Sequence, residues 1–167
     1  MNRLRWLRPW LPALCWAAVI WSFSTDAFSA QHTGRILEPL LRWIFPGIGH
    51  EQVRHIHFLI RKCGHFIEYF VFGLLLYRGL RGEEKGWRWK WAGMALSLAA
   101  GYAVLDEVHQ SFVASRTASG WDSLLDSAGA LAAMVCCWAW YRWRGSRQGQ
   151  KKKARNGEES RAGCLQG

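Results

Sequence analysis

Residues 63–80 read CGHFIEYFVFGLLLYRGL, and the length of that apolar run decides the fold. It approaches the ~20 residues a helix needs to cross the hydrocarbon core of a bilayer. A helix in a soluble core rarely runs so far without a continuous polar face. Working outward, similar runs occupy residues 6–24, 91–113 and 121–143. The pattern predicts an all-α, polytopic membrane protein with four transmembrane helices. The second run contains His65 and Glu68, the third Asp106 and Glu107, and the fourth Asp122 and Asp126, so a plain hydropathy average undercounts these spans.

Composition conceals this segregation. The mean hydropathy of −0.10 resembles that of a soluble protein, yet 50% of the 167 residues are hydrophobic and the polar ones gather in loops and in a tail from Arg142 onward. Many of the 12 tryptophans, including Trp6, Trp10, Trp43, Trp87, Trp91, Trp121 and Trp143, fall at the edges of apolar runs, where membrane proteins carry an interfacial aromatic belt. The net charge of +10 does not indicate nucleic acid, because the basic residues flank apolar helices instead of lining one face with aromatic platforms. Residues 1–144 therefore read as a membrane domain. Residues 145–167, with Lys151, Lys152 and Lys153, read as a disordered basic tail attracted to anionic lipid. The five cysteines, Cys15, Cys63, Cys136, Cys137 and Cys164, have no zinc-ligand spacing and read mostly as small apolar fillers. The last four residues have the spacing of a prenylation box, but Gln166 stands where an aliphatic residue is required.

Lys and Arg asymmetry sets the expected topology. Three, Arg3, Arg5 and Arg8, lie at or before the start of the first run, five lie between Arg78 and Lys90, and eight follow from Arg142, against five in the first loop and one in the third. Both termini and the second loop are thus expected in the cytoplasm of a cell with this chain in its inner membrane. Trp10, Trp16 and Trp21 break the pattern of a cleaved signal peptide, so the first helix is expected to be retained. In the outer first loop, Ile36, Leu37, Leu40, Leu41 and Ile44 repeat at helical spacing after a Thr33 cap, and Pro46, Gly47 and Gly49 end that helix. A second amphipathic piece carries Val53, Ile56, Leu59 and Ile60; both are expected on the outer surface. Residues 50–55, HEQVRH, fail as a zinc-protease motif, since histidines five apart diverge by ~140° around a helix.

This topology places the intramembrane charges in one layer. Glu68 and Asp106 each fall ~10 Å inside the outer end of their helix. The spacing puts Arg61, His65, Glu68 and Tyr69 on one face, Tyr102, Asp106, Glu107 and Gln110 on another, and Asp122 with Asp126 on a third. Ser119 and Asp122 have capping-box spacing, and Gly129 and Ala133 continue the last stripe with residues small enough for close helix contact. Five carboxylates face three fixed cations, Arg61, Lys62 and Arg116, so two negative charges need compensation by protons, by a charged His65 or by a bound cation.

The segments IRKCGHFIEYFVFGLLL, LDEVHQSFVASRTAS and WDSLLDSAGALAA, with FST at residues 23–25, resemble the VanZ-like membrane proteins, named after a teicoplanin-resistance protein. The resemblance spans roughly residues 23–135 and falls on Lys62, His65, Glu68, Tyr69, Asp106, Glu107, Gln110, Phe112, Arg116, Asp122, Asp126 and Gly129. The chain departs from that pattern at Asp126, where Asn is frequent, and at Ala114 and Ser115, where Pro-Gly is frequent. It implies a cell-envelope role, sometimes tied to glycopeptide resistance, without a reaction to carry over.

Several functions fit such a layer. It can bind an envelope ligand or ion, a divalent cation among the candidates, from lipid or peptidoglycan-precursor chemistry, with Arg116 as a clamp for phosphate or carboxylate. It can hold a metal that activates water in an intramembrane hydrolase, with His65 and Glu68 as an acid or base pair. It can also simply pair charges to fix the helices, with Arg116 opposite Asp122. Ion-coupled transport is disfavoured by the lack of an inverted repeat. No catalytic residue is identified, because no nucleophile motif or phosphate loop is present.

Overall fold

A computed structural model of the chain describes residues 7–25, 30–113 and 120–164. Its elements are α1 (Leu11–Phe23), α2 (Ala30–Ile44), α3 (His50–Arg81), α4 (Trp89–Ser111) and α5 (Gly120–Cys164), and no strand occurs among the described residues. α1 begins with Pro12 in its first turn, where a missing N–H costs nothing. α3 starts after Gly49, whose N–H donates to the Gln52 side chain at 3.0 Å. It ends at Gly82, whose φ of 56° lies in the left-handed region that glycine tolerates best.

The two pieces expected over residues 53–60 and 63–80 form one helix of 32 residues, about 48 Å long. Nothing breaks the run, since Gly64 costs a helix only ~1 kcal/mol. α5 likewise runs 45 residues, through the segment expected to be disordered. That segment holds no proline, and its Lys, Arg, Gln and Glu lose little rotamer freedom in a helix, while Gly145, Gly149, Gly157 and Gly163 weaken it. Arg142 over Trp138, Arg144 over Trp140 and Arg147 over Trp143, at 5.3, 5.7 and 3.8 Å, form a cation–π series at one-turn spacing along its start.

α3, α4 and α5 make the core, with α1 and α2 packed on α3, where Gly34 of α2 lies near His57. α4 turns Ala92, Ala95, Ala99 and Ala103 inward at steps of three and four residues, and these small side chains let its neighbours close in. At one end of the bundle Trp10 lies against Gly79, Trp87 stacks on Tyr77 at 5.0 Å, and Arg81 donates to the Tyr141 hydroxyl at 2.5 Å. α1 then runs antiparallel to α3, so Ser24 reaches the opposite end beside Asp106.

Gly129 is where α5 lies closest to α3, as the spacing predicted. A Cβ there would overlap the Phe66 carbonyl oxygen and meet the Phe70 nitrogen at 3.2 Å, both of them backbone atoms. Gly129→Ala is expected to force the helices apart and destabilise by ~1–3 kcal/mol. Thermal unfolding in detergent reads this; a wild-type unfolding temperature would show that the contact is loose.

Among the described residues, one helix is clearly long and apolar enough to cross a membrane, over Gly120–Gln150. Only 28% of its apolar window is buried, whereas a soluble core helix would bury most of it. Leu124, Leu131, Val135 and Trp140 accordingly face outward. α1 is apolar but has 13 residues, and polar groups dilute α3 and α4, so length and composition do not themselves establish four crossings.

Candidate functional site

At the end of the bundle opposite Gly79, the inward stripes turn polar: His65 and Tyr69 on α3, Asp106 and Gln110 on α4, Asp122 and Asp126 on α5. Each pair is one turn apart, so its members share a direction. Around Asp106 the pairing is complete. The Ser24 hydroxyl donates to one carboxylate oxygen, and Gln110 Nε2 donates to the other at 3.0 Å and to Ser24 Oγ at 3.2 Å. This network is buried and pins the end of α1 to α4. Beside it, Lys62 and Asp122 form an ion pair with side chains 27% and 9% exposed.

Three atoms in the same layer are not satisfied. His65 Nδ1 and Asp126 Oδ1 face each other at 3.4 Å, outside hydrogen-bond geometry, and both are buried without a hydrogen-bond partner. The hydroxyl of Tyr69, a residue with no exposed surface, also has none. A buried polar group left unpaired costs ~1–3 kcal/mol, so a bound group that paired with all three would recover a substantial part of the stability. One donor atom each from His65, Asp106 and Asp126 lies within 4.8 Å of the other two. An imidazole with two carboxylates is a donor set suited to a divalent cation.

Lys62, His65, Tyr69, Asp106, Gln110, Asp122 and Asp126 are thus brought together. The faces drawn from spacing are otherwise narrower than expected. Glu107, half-buried, instead lines a groove of about 550 Å³ between α4 and α5, with Val104, Val108, Ser123 and Ser127. Glu68 is also half-buried, one turn from His65, and its backbone carbonyl accepts the Trp16 indole N–H at 2.9 Å. Arg61 acts one turn back on His57, whose imidazole is held below its usual range first by burial and then by that guanidinium. Arg116 and the Ser119 cap lie outside the described residues; the cation on Asp122 among those described is Lys62. The larger cavity, about 740 Å³, sits at the α2–α3 turn around Phe45, Ile48 and Ile56 and contains none of these residues.

The profile of the VanZ/LLP1 family matches residues 9–141. The chain belongs to this family. The match includes every element of the polar layer, from Ser24 to Asp126, and stops before the basic part of α5. No curated protein and no solved structure matches the chain. VanZ/LLP1 membership is consistent with a membrane protein, and it leaves the ligand to be argued from the site.

Spacing alone missed Ser24 as a site residue, although it lies within the FST segment. A single serine just past a helix end belongs to no periodic pattern, and only the fold carries it to Asp106.

Proposed function

We propose that this VanZ/LLP1 protein crosses the cytoplasmic membrane four times, both termini inside, and binds an extracytoplasmic envelope ligand through His65, Asp106 and Asp126, in a role tied to glycopeptide resistance. The observation that carries this reading is the long ion contact, 3.4 Å, between two buried groups that make no hydrogen bond, His65 Nδ1 and Asp126 Oδ1. Helix pairing alone would be served better by a made hydrogen bond, of the kind Gln110 gives Asp106. Ligand chemistry drawn from an envelope lipid or peptidoglycan precursor suits the layer, since the Glu107 groove offers an acyl chain an apolar wall beside a charge. The outward apolar side chains Ile67, Leu98, Leu105 and Leu131 support multiple crossings, because a soluble protein rarely exposes such a belt on several helices. The exposed Trp43, Phe45, Phe58 and Leu59 suit the outer leaflet.

The test of the ligand site is glycopeptide susceptibility in cells expressing wild type or His65→Gln at equal membrane abundance; equal protection by the two would overturn it. The orientation is tested separately. Reporters after Lys90 and at Gln166 are expected to report cytoplasm, and one near Gly47 the outside, from the Lys and Arg asymmetry. An external signal at Gln166 would move the polar layer to the cytoplasmic face.

A second reading, a metal-dependent intramembrane hydrolase of an envelope lipid, is favoured by the 4.8 Å grouping of three donors. It predicts that an uncleaved lipid accumulates in a deletion strain.

A further inference from the structure

We infer that His65, Asp106 and Asp126 form a binding site for one first-row divalent transition metal ion, with the Tyr69 hydroxyl beside the coordination positions left open. This rests on the ligand-site reading above and adds the ion through which these residues would hold the envelope ligand. The donor set separates classes of cation: Mg²⁺ and Ca²⁺ take oxygen ligands, while an imidazole nitrogen favours zinc, iron or nickel over manganese. Charge agrees. Lys62 already neutralises Asp122, so Asp106 and Asp126 leave two negative charges that a divalent ion would cancel in surroundings where net charge is costly.

Geometry agrees as well. Ligand atoms ~2.1 Å from a tetrahedral ion lie about 3.4 Å apart, which is the His65 Nδ1 to Asp126 Oδ1 separation of 3.4 Å. The full set lies within 4.8 Å, so small rotamer adjustments bring in the third donor. Ser24 and Gln110 hold the Asp106 carboxylate in place from behind, and each of its oxygens keeps a lone pair for an ion. The second, independent sign is Tyr69, wholly buried on the next turn from His65, with a hydroxyl that has no partner. Three protein ligands leave room for a water or a ligand oxygen, to which that hydroxyl would donate.

The test uses full-length protein in detergent, stripped with chelator and titrated with Zn²⁺, Mn²⁺, Mg²⁺ and Ca²⁺. About one Zn²⁺ per chain is expected to bind, raising the unfolding temperature by about 5–10 °C at 100-fold excess over Kd, with Mn²⁺ weaker than Zn²⁺ and Mg²⁺ and Ca²⁺ at least about 10-fold weaker. His65→Gln and Asp126→Asn are expected to lose at least about 10-fold in affinity, while Glu51→Gln, at the exposed start of α3, keeps it. Two variants are used so that misfolding of one leaves the other decisive. No saturable binding, equal binding of Mg²⁺, or wild-type affinity in both variants would overturn the inference. If wild type binds no metal but Asp126→Asn still loses glycopeptide protection, the metal falls and the ligand site stands. If Asp126→Asn loses the metal yet protects fully, the metal site stands and its role in protection falls.

Discussion

Asp126→Asn is expected to lower the protein's envelope phenotype by at least about 10-fold while leaving the fold as stable as wild type, or more so by ~1–3 kcal/mol. The substitution keeps volume and hydrogen-bonding capacity and removes only charge. Asp126 is 1% exposed and shares its layer with Asp106, so its charge is desolvated, and the 3.4 Å contact of its Oδ1 with His65 Nδ1, which makes no hydrogen bond, offsets that cost weakly. In the empty protein, losing that charge should relieve the helices. On the function proposed for this layer, it also removes a group that receives the ligand. Activity and stability should therefore move apart, as they do where a site holds strain for function. Each kcal/mol corresponds to about 2–4 °C in unfolding temperature for a chain of this size, which resolves the expected shift. The check is membrane abundance and thermal unfolding in detergent beside glycopeptide susceptibility. Loss of phenotype in strict proportion to loss of folded protein would make Asp126 a packing residue.

The parts of this site legible from spacing are those governed by one helix at a time. His65 with Tyr69, Asp106 with Gln110 and Asp122 with Asp126 stand four residues apart, and the ~100° turn per residue puts each pair on one side whatever surrounds it. Gly129 was legible for the same reason, as a small residue on the stripe of Asp122 and Asp126. Neighbours in sequence were harder. Asp106 and Glu107 differ by ~100° around α4, and a broad polar face accommodates both until α5 packs against the edge between them and leaves Glu107 in a groove. Ser24 meets Asp106 across 82 residues of chain, a contact that depends on how α1 is seated and not on any local pattern. The joining of two expected pieces into α3 was illegible because hydropathy changes near residue 62 while helix propensity does not.

Lys62 and Asp122 are expected to behave oppositely to Asp126, with stability and function falling together and returning together. Their pair is made, and its charges cancel, so it adds nothing to the two negative charges that Asp106 and Asp126 present. Asp122→Asn leaves an ammonium without its partner at a position 27% exposed, and water reaching it limits the loss to about 1–2 kcal/mol, below the ~3–5 of a fully buried pair. Lys62→Met is expected to cost more, about 2–4 kcal/mol, because the stranded carboxylate is only 9% exposed. Replacing both, as Lys62→Met with Asp122→Leu, removes two desolvated charges at once and should return the unfolding temperature to within about 1 kcal/mol of wild type. Protection should follow the amount of folded protein through all the variants, since a clamp acts only by holding α3 to α5. A double variant that folds fully and protects poorly would mean that Lys62 or Asp122 meets the ligand itself, and the binding site would then extend from Asp126 along α5 to the end of the bundle.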